Sequence, residues 1–250
     1  MSYLRRSILK GIILAGGSGS RLFPLTSVIN KCLLPVYNKP MIYYPIELLV
    51  NAGIRDVLLV CGGNSVGDFL PLLKNGEAFG LKHLHYTVQD QPRGIADALG
   101  LAEEFVGGDN MAVVLADNIF ADNVKQQVDD FSTGGAIFGA QVEHPQHYGV
   151  IEQDEAGNVI KIVEKPKEPK SNLIATGLYL YDPTVWEMIE QLEPSARGEL
   201  EITDINNMYL RENRLKVHQL NGFWADCGEN FDGYLDACNK VRELHYGRSA

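Results

Sequence analysis

The stretch Gly11-Ile12-Ile13-Leu14-Ala15-Gly16-Gly17-Ser18-Gly19-Ser20-Arg21-Leu22 decides the reading of this chain, because an apolar run passes directly into a loop of small residues that ends in an arginine. A short continuous apolar run stopped by glycine is the pattern of a strand buried on both faces. Backbone without side chains lets amide groups approach phosphate oxygens, so the loop after that strand is a candidate anion cradle. Taken alone, the loop also reads as a tight glycine turn carrying a surface arginine. A dinucleotide fingerprint would place a third glycine where Leu22 stands, and a Walker A loop would place Gly-Lys-Ser/Thr, which is absent. Arg21 stands in for the lysine of such a loop.

Outward from this segment, residues 41–52, 68–73 and 95–105 read as helices, and 57–61, 84–88 and 111–115 as strands. That βαβ order predicts an α/β fold with a Rossmann-like, mostly parallel central sheet flanked by helices. Ligands of such sheets sit beyond the carboxyl ends of the strands, which puts the Gly16 loop and Asp117 on one edge. From Gly135 the pattern turns to β: strands at 136–142, 149–153 and 159–164, the last two forming a hairpin inserted beside the main sheet. A strand at 173–181 follows, then a helix opened by Asp182-Pro183 with its body at 186–192, and a last helix at 231–244. No repeat, low-complexity tract or linker interrupts the chain. It reads as one domain, 1–250, with halves at about 10–135 and 136–230 and a C-terminal helix in 231–250.

A chain of 250 residues that is 45% hydrophobic can bury a core of that size. Its four cysteines, Cys32, Cys61, Cys227 and Cys238, form no Cys-x-x-Cys pair, so reduced thiols in a cytoplasmic protein are expected. The formal charge of −10 argues against nucleic acid or an anionic membrane as partner. A small anionic substrate would need local cations, a metal ion or backbone amides. Arg5-Arg6-Ser7-Ile8-Leu9-Lys10 has the look of a twin-arginine export signal, but the apolar stretch after Lys10 is too short and no cleavage site follows. No segment is long and apolar enough to span a bilayer.

The loop gains meaning from its neighbours. Gly16 to Leu22, then Asn30-Lys31-Cys32-Leu33-Leu34-Pro35-Val36, then Lys39-Pro40-Met41-Ile42-Tyr43-Tyr44-Pro45 resembles, in register, the opening of the glucose-1-phosphate thymidylyltransferase family, sugar nucleotidylyltransferases of the nucleotide-diphospho-sugar transferase fold. The resemblance continues through Val88-Gln89-Asp90-Gln91-Pro92-Arg93-Gly94-Ile95-Ala96, Tyr148-Gly149-Val150, Glu164-Lys165-Pro166, Thr176-Gly177-Leu178-Tyr179, residues 197–204, and Trp224-Ala225-Asp226-Cys227-Gly228, covering nearly the whole chain.

This resemblance implies transfer of a thymidylyl group from dTTP to glucose 1-phosphate. Arg21, Lys31 and Lys165 would be the catalytic cations, and Leu14, Gly16, Gly17, Ser18, Gly19, Ser20, Gln89, Pro92, Gly94 and Asp117 the nucleotide site. The amide of Gln89 suits a pyrimidine edge. Asn118, Tyr148, Gly149, Glu164, Lys165, Thr176, Tyr179 and Arg197 would hold the sugar phosphate, and Asp117 with Asp226 one Mg²⁺. A lone strand-end aspartate is more often a helix cap, so the pairing with Asp226 carries the metal reading.

The chain departs from the family at Ser20 (usually threonine), Cys32 (glutamine), Ala116 (glycine) and Cys227-Gly228-Glu229 (threonine, glycine, threonine). Cys32 and Ala116 would lie close to base and sugar contacts. Longer members carry a further helical segment at a regulatory nucleotide site, so feedback inhibition by a distant sugar nucleotide such as dTDP-rhamnose is expected to be weak here. A homo-oligomer is compatible with all of this. The rival readings are a uridylyl- or cytidylyltransferase, a non-catalytic sugar-nucleotide sensor, and a redox dinucleotide module. Leu22 disfavours the last, as does Cys61-Gly62-Gly63-Asn64, which offers no acidic residue after the second strand.

Overall fold

The computed structural model describes residues 9–17, 19–63 and 65–247; the Arg5-Arg6 pair and Ser18 lie outside the described residues. The first half contains β1 (Lys10–Ala15), the two-residue strands β2 (Pro35–Val36) and β3 (Lys39–Pro40), α1 (Tyr43–Asn51), β4 (Asp56–Gly62), α2 (Val66–Leu73) and β5 (His83–Gln89). Next come α3 (Ile95–Gly100), α4 (Glu103–Val106), β6 (Met111–Leu115), β7 (Asn118–Phe120), α5 (Lys125–Asp130) and β8 (Gly135–Gln141). The remainder is β9 (Gly149–Gln153), β10 (Val159–Glu164), β11 (Leu173–Tyr181), α6 (Val185–Glu190), α7 (Ile202–Arg211), β12 (Leu215–Gln219), β13 (Trp224–Asp226) and α8 (Phe231–Gly247).

Among the described residues, nine strands form one sheet in the order β10-β9-β11-β6-β1-β4-β5, with β8 against β11 and β12 against β8. The β6-β1-β4-β5 block is parallel, and β11 runs antiparallel to β6. Alternation along β1 divides the core into two layers. Ile13 and Ala15 face α1 and α2 through Ile46, Leu49 and Phe69, while Ile12 and Leu14 face α3, α6 and α7 through Leu99, Val185 and Ile205. Burying each such isoleucine contributes on the order of 2 kcal/mol, which is why this run is apolar on both faces.

The predicted helix at 95–105 is broken after Gly100, where Leu101 and Ala102 separate α3 from α4. The hairpin β9–β10 joins the main sheet through β11 rather than standing apart. Strand β11 has an irregular register between Ala175 and Tyr179: its first part pairs with β9 and its last with β6. That bulge, at Thr176-Gly177-Leu178, parts the sheet at the mouth of the site, as bulges beside active sites commonly do. No helix among the described residues is long and apolar enough to cross a membrane.

Candidate active site

The carboxyl ends of β1, β5 and β6 open into a cavity of about 510 Å³. On one wall the glycine loop is pinned by Leu22, which is fully buried among Leu34, Val36, Met41, Ile119 and Cys227. Leu22 thus anchors the loop where a dinucleotide fold would have a glycine. Arg21, beside it, lines the cavity and has no carboxylate within ion-pair distance among the described residues.

Lys31 opens a short 3-10 turn, Lys31–Leu33, whose N-terminus is capped by the Asn30 side chain accepting from the Cys32 amide at 2.9 Å. The turn directs the Lys31 ammonium beneath Gly17 and onto the Asp117 carboxylate, with which it forms a hydrogen-bonded ion pair. Asp226 arrives from the far end of the chain because β13 pairs with β7, setting Asp226 opposite Asn118, and the Cys227 amide donates to the Asp117 carbonyl at 2.9 Å.

Lys31 is therefore paired with Asp117, while Asp226 feels the same ammonium only through space. Burial alone would raise the Asp117 carboxyl, but Lys31 and the Asn118 amide hold it below the usual carboxylate range. Burial would lower the Lys31 ammonium, yet Asp117 outweighs it and keeps lysine charged. Burial, then repulsion from Asp117, pushes Asp226 up to about 7. A buried carboxylate with no cation of its own suits a hard divalent ion that completes its shell with water and phosphate. Gly228 is required by the crowding: a Cβ there would stand 2.5 Å from Asp117 Oδ2 and 3.1 Å from Lys31 Nζ. Among the described residues, no group of three or more His, Cys, Asp or Glu side chains forms a metal cage.

Gln89, at the end of β5, is buried and lines the cavity with Pro92 and Gly94. Gly94 has φ +106°, and a Cβ there would meet the Leu200 carbonyl oxygen at 2.5 Å. This close approach is held by Leu200 N–H donating to the Arg93 carbonyl at 2.8 Å and Ala96 N–H to the Leu200 carbonyl at 3.2 Å, tying the 92–96 loop to the segment before α7.

The opposite end is walled by Tyr148, Gly149, Glu164, Lys165, Thr176 and Tyr179. Glu164 Oε2 accepts from Thr203 Oγ1 at 2.5 Å. Lys165 has φ +42°, a left-handed conformation that a non-glycine residue adopts at a cost, and it stands 3.7 Å from Glu164. The Thr176 hydroxyl is turned to the Phe138 carbonyl at 2.8 Å. Asn118 acts as a brace: its Oδ1 accepts from Gly177 N–H at 3.0 Å and Trp224 Nε1–H at 2.8 Å, and its amide donates to Asp117.

Leu14, Gly16, Gly17, Gly19, Ser20, Arg21, Lys31, Asp117 and Asp226 are thus brought together with Tyr148, Glu164, Lys165 and Tyr179 around one cavity. Arg197 is not in its lining; its guanidinium is taken by Glu201 at 2.7 Å, Glu199 at 3.0 Å and Glu164 at 3.4 Å. Cys32 and Ala116 are buried in the core, outside the cavity lining but each next in sequence to a lining residue, Lys31 and Asp117. Burial pushes the Cys32 thiol up to about 12, so it is a packing residue.

Sequence reasoning missed the part of Trp224, His147 and Glu229. Trp224 stacks edge-on against Tyr148 at 5.4 Å between centroids, and Glu229 accepts from Tyr148 OH at 2.6 Å while its other oxygen pairs with His147. Burial, then that bond to Glu229, holds the Tyr148 phenol above its usual range. The charged Glu229 in place of a neutral threonine was the available signal.

Comparison with known proteins agrees with this arrangement. The family model for nucleotidyl transferases matches residues 10–243. The glucose-1-phosphate thymidylyltransferase of Neisseria gonorrhoeae is 48% identical over 95% of this chain and 86% of that protein, and that of Mycobacterium tuberculosis 46% identical over 94% and 83%. A Bacillus anthracis protein assigned to the same activity and crystallised with sucrose superposes with TM-score 0.89 at 46% identity, over 94% of this chain and 95% of that one. A UDP-glucose pyrophosphorylase bound to UDP-glucose gives TM-score 0.80 at 26% identity, over 95% and 99%. With Arg21, Lys31, Asp117 and Asp226 gathered at one strand edge, the chain belongs to the nucleotidyl transferase family, among the glucose-1-phosphate thymidylyltransferases.

Proposed function

We infer that the chain transfers a thymidylyl group from dTTP to α-D-glucose 1-phosphate, giving dTDP-glucose and pyrophosphate. The observation that carries this is the match along nearly the whole chain to enzymes of that name, over a cavity whose charged residues suit two anionic substrates. The α-phosphorus of dTTP is attacked in line by a sugar-phosphate oxygen, with no covalent enzyme intermediate. The barrier is then largely the approach of like charges, so catalysis comes from positioning and neutralisation. At ~4 Å and an effective dielectric of ~20, one repulsive unit-charge pair costs about 4 kcal/mol, or roughly a thousandfold in rate.

Each residue takes a role suited to where it stands. Arg21, with no carboxylate partner among the described residues, binds the triphosphate. Lys31, beneath the glycine loop, neutralises the phosphate above Gly17. Lys165 meets the incoming sugar phosphate, and Glu164 accepts from sugar hydroxyls. Gln89 reads the pyrimidine base, and Arg197 orients Glu164. Asp117 and Asp226 would hold Mg²⁺, which supplies charge neutralisation at the phosphates when bound. The free cysteines fit a cytoplasmic setting.

Pyrophosphate release across a matrix of dTTP, UTP and CTP with several hexose 1-phosphates tests the assignment. The expected maximum is dTTP with glucose 1-phosphate. A maximum at UTP, as the UDP-glucose pyrophosphorylase neighbour would suggest, defeats it.

A further inference from the structure

Gln89 has two ends that the structure treats differently. Its amide nitrogen donates to Asp97 Oδ2 at 2.7 Å and to the Gly94 carbonyl at 3.2 Å. Both partners are pure acceptors, because an ionised carboxylate and a peptide carbonyl have no proton to give. Exchanging the two ends of the amide would aim its oxygen at two other oxygens and lose both bonds. The amide is therefore locked, and Oε1 is left facing the glycine loop, 3.2 Å from the point where a Cβ on Gly16 would stand. Asp97 is itself held: its other carboxylate oxygen lies 3.4 Å from Arg93 Nε, and its side chain is mostly buried.

We propose that Asp97 is a specificity-determining positioning residue, which by locking the Gln89 amide presents only an acceptor to the base and so selects pyrimidines protonated at N3. This rests on the reading that Gln89 meets the base. Thymine and uracil carry N3–H and can donate to Oε1. Cytosine carries a lone pair at N3, which would face the Gln89 oxygen without a proton between them. A buried acceptor left against an acceptor loses the desolvation energy of both groups, and sites built on such a bond reject mismatched ligands strongly. The same oxygen does not distinguish thymine from uracil, which differ at C5.

Steady-state kcat/KM for dTTP, dUTP and dCTP with glucose 1-phosphate, in the wild type and in Asp97→Asn, Asp97→Ala and Gln89→Ala, tests this. Alanine at 97 removes the 2.7 Å bond and leaves the amide held only by the longer one to the Gly94 carbonyl, while an asparagine at 97 can turn its nitrogen as well as its oxygen toward Gln89, so both loosen the lock. The expected result is a dTTP-to-dCTP preference reduced by at least about tenfold in both Asp97 variants, with the dTTP-to-dUTP preference within twofold of wild type and melting temperatures retained. A dTTP-to-dCTP preference within twofold of wild type in both Asp97 variants overturns the proposal. If Gln89→Ala erodes that preference while the Asp97 variants keep it, Asp97 alone is misassigned. If Gln89→Ala keeps it, the base-contact reading falls, and this inference with it.

Discussion

Lys31 and Asp117 form a hydrogen-bonded ion pair across 86 positions of sequence, at the floor of the cavity, with side chains 16% and 13% exposed. Breaking a pair at that depth strands one charge without its partner, typically a loss of about 3–5 kcal/mol. We expect Lys31→Met and Asp117→Asn each to lower the unfolding free energy by roughly 3 kcal/mol, and the double variant to lose less than the sum. Urea denaturation of the four proteins closes the cycle. Strictly additive losses would show that the two residues do not support one another.

Asp226, at the end of β13, and Lys165, just after β10, both line the cavity. Asp226 completes the paired carboxylates, and Lys165 holds a strained left-handed backbone that the β10 end and Tyr148 maintain through Lys165 N–H donating to the Tyr148 carbonyl at 2.9 Å. Asp226→Asn or Lys165→Ala should each lower turnover by about two orders of magnitude or more, while circular dichroism stays that of the wild type. Turnover within tenfold of wild type in either protein would remove that residue from the reaction.

The parallel strands were legible because burial on both faces leaves a continuous apolar run, as in β1, β4 and β6. β13 and β7 were not, since three-residue strands carry no periodicity, and yet their pairing is what brings Asp226 beside Asp117. Helix α7 was missed for a related reason: its polar Asn206 and Asn207 interrupt the apolar pattern, while their side chains are spent on Tyr181 and on β10. Asp97 was passed over because a lone carboxylate in a short helix reads as a surface charge. Only the fold shows it against Gln89.

Gly94 joins the Gln89 end of the cavity to the segment before α7, with a backbone that L-residues avoid and no room for a Cβ. Gly94→Ala should therefore lower stability by about 2–4 kcal/mol and raise the KM for dTTP more than that for glucose 1-phosphate. Gly108→Ala, where an added Cβ meets nothing within 4 Å, serves as the neutral control. Equal behaviour of the two variants in thermal melts and in dTTP saturation would contradict the close approach.

Away from the cavity, Asp182 ties four segments together. Its Oδ2 accepts from Gly134 N–H at 2.6 Å, Thr133 OH at 2.8 Å and Arg214 Nη2 at 2.6 Å, and its Oδ1 from Thr184 OH at 2.5 Å and Tyr209 OH at 3.0 Å. Burial alone would raise this carboxyl, but the donors of Thr184, Gly134, Thr133 and Tyr209 outweigh it and hold it below the usual range. A carboxyl whose folded pKa lies under its unfolded value of about 3.9 stabilises fully above that value, and the contribution is lost as pH falls through the folded pKa. Asp182→Asn turns an NH₂ toward donors and should cost about 2–4 kcal/mol at pH 7. In urea titrations the gap from wild type should be the same at pH 7 and pH 5 and shrink by pH 3.5, because the unfolded wild-type chain then takes up a proton at Asp182 that the folded protein does not. A gap that widens on acidification would mean that Asp182 is not held ionised by these donors.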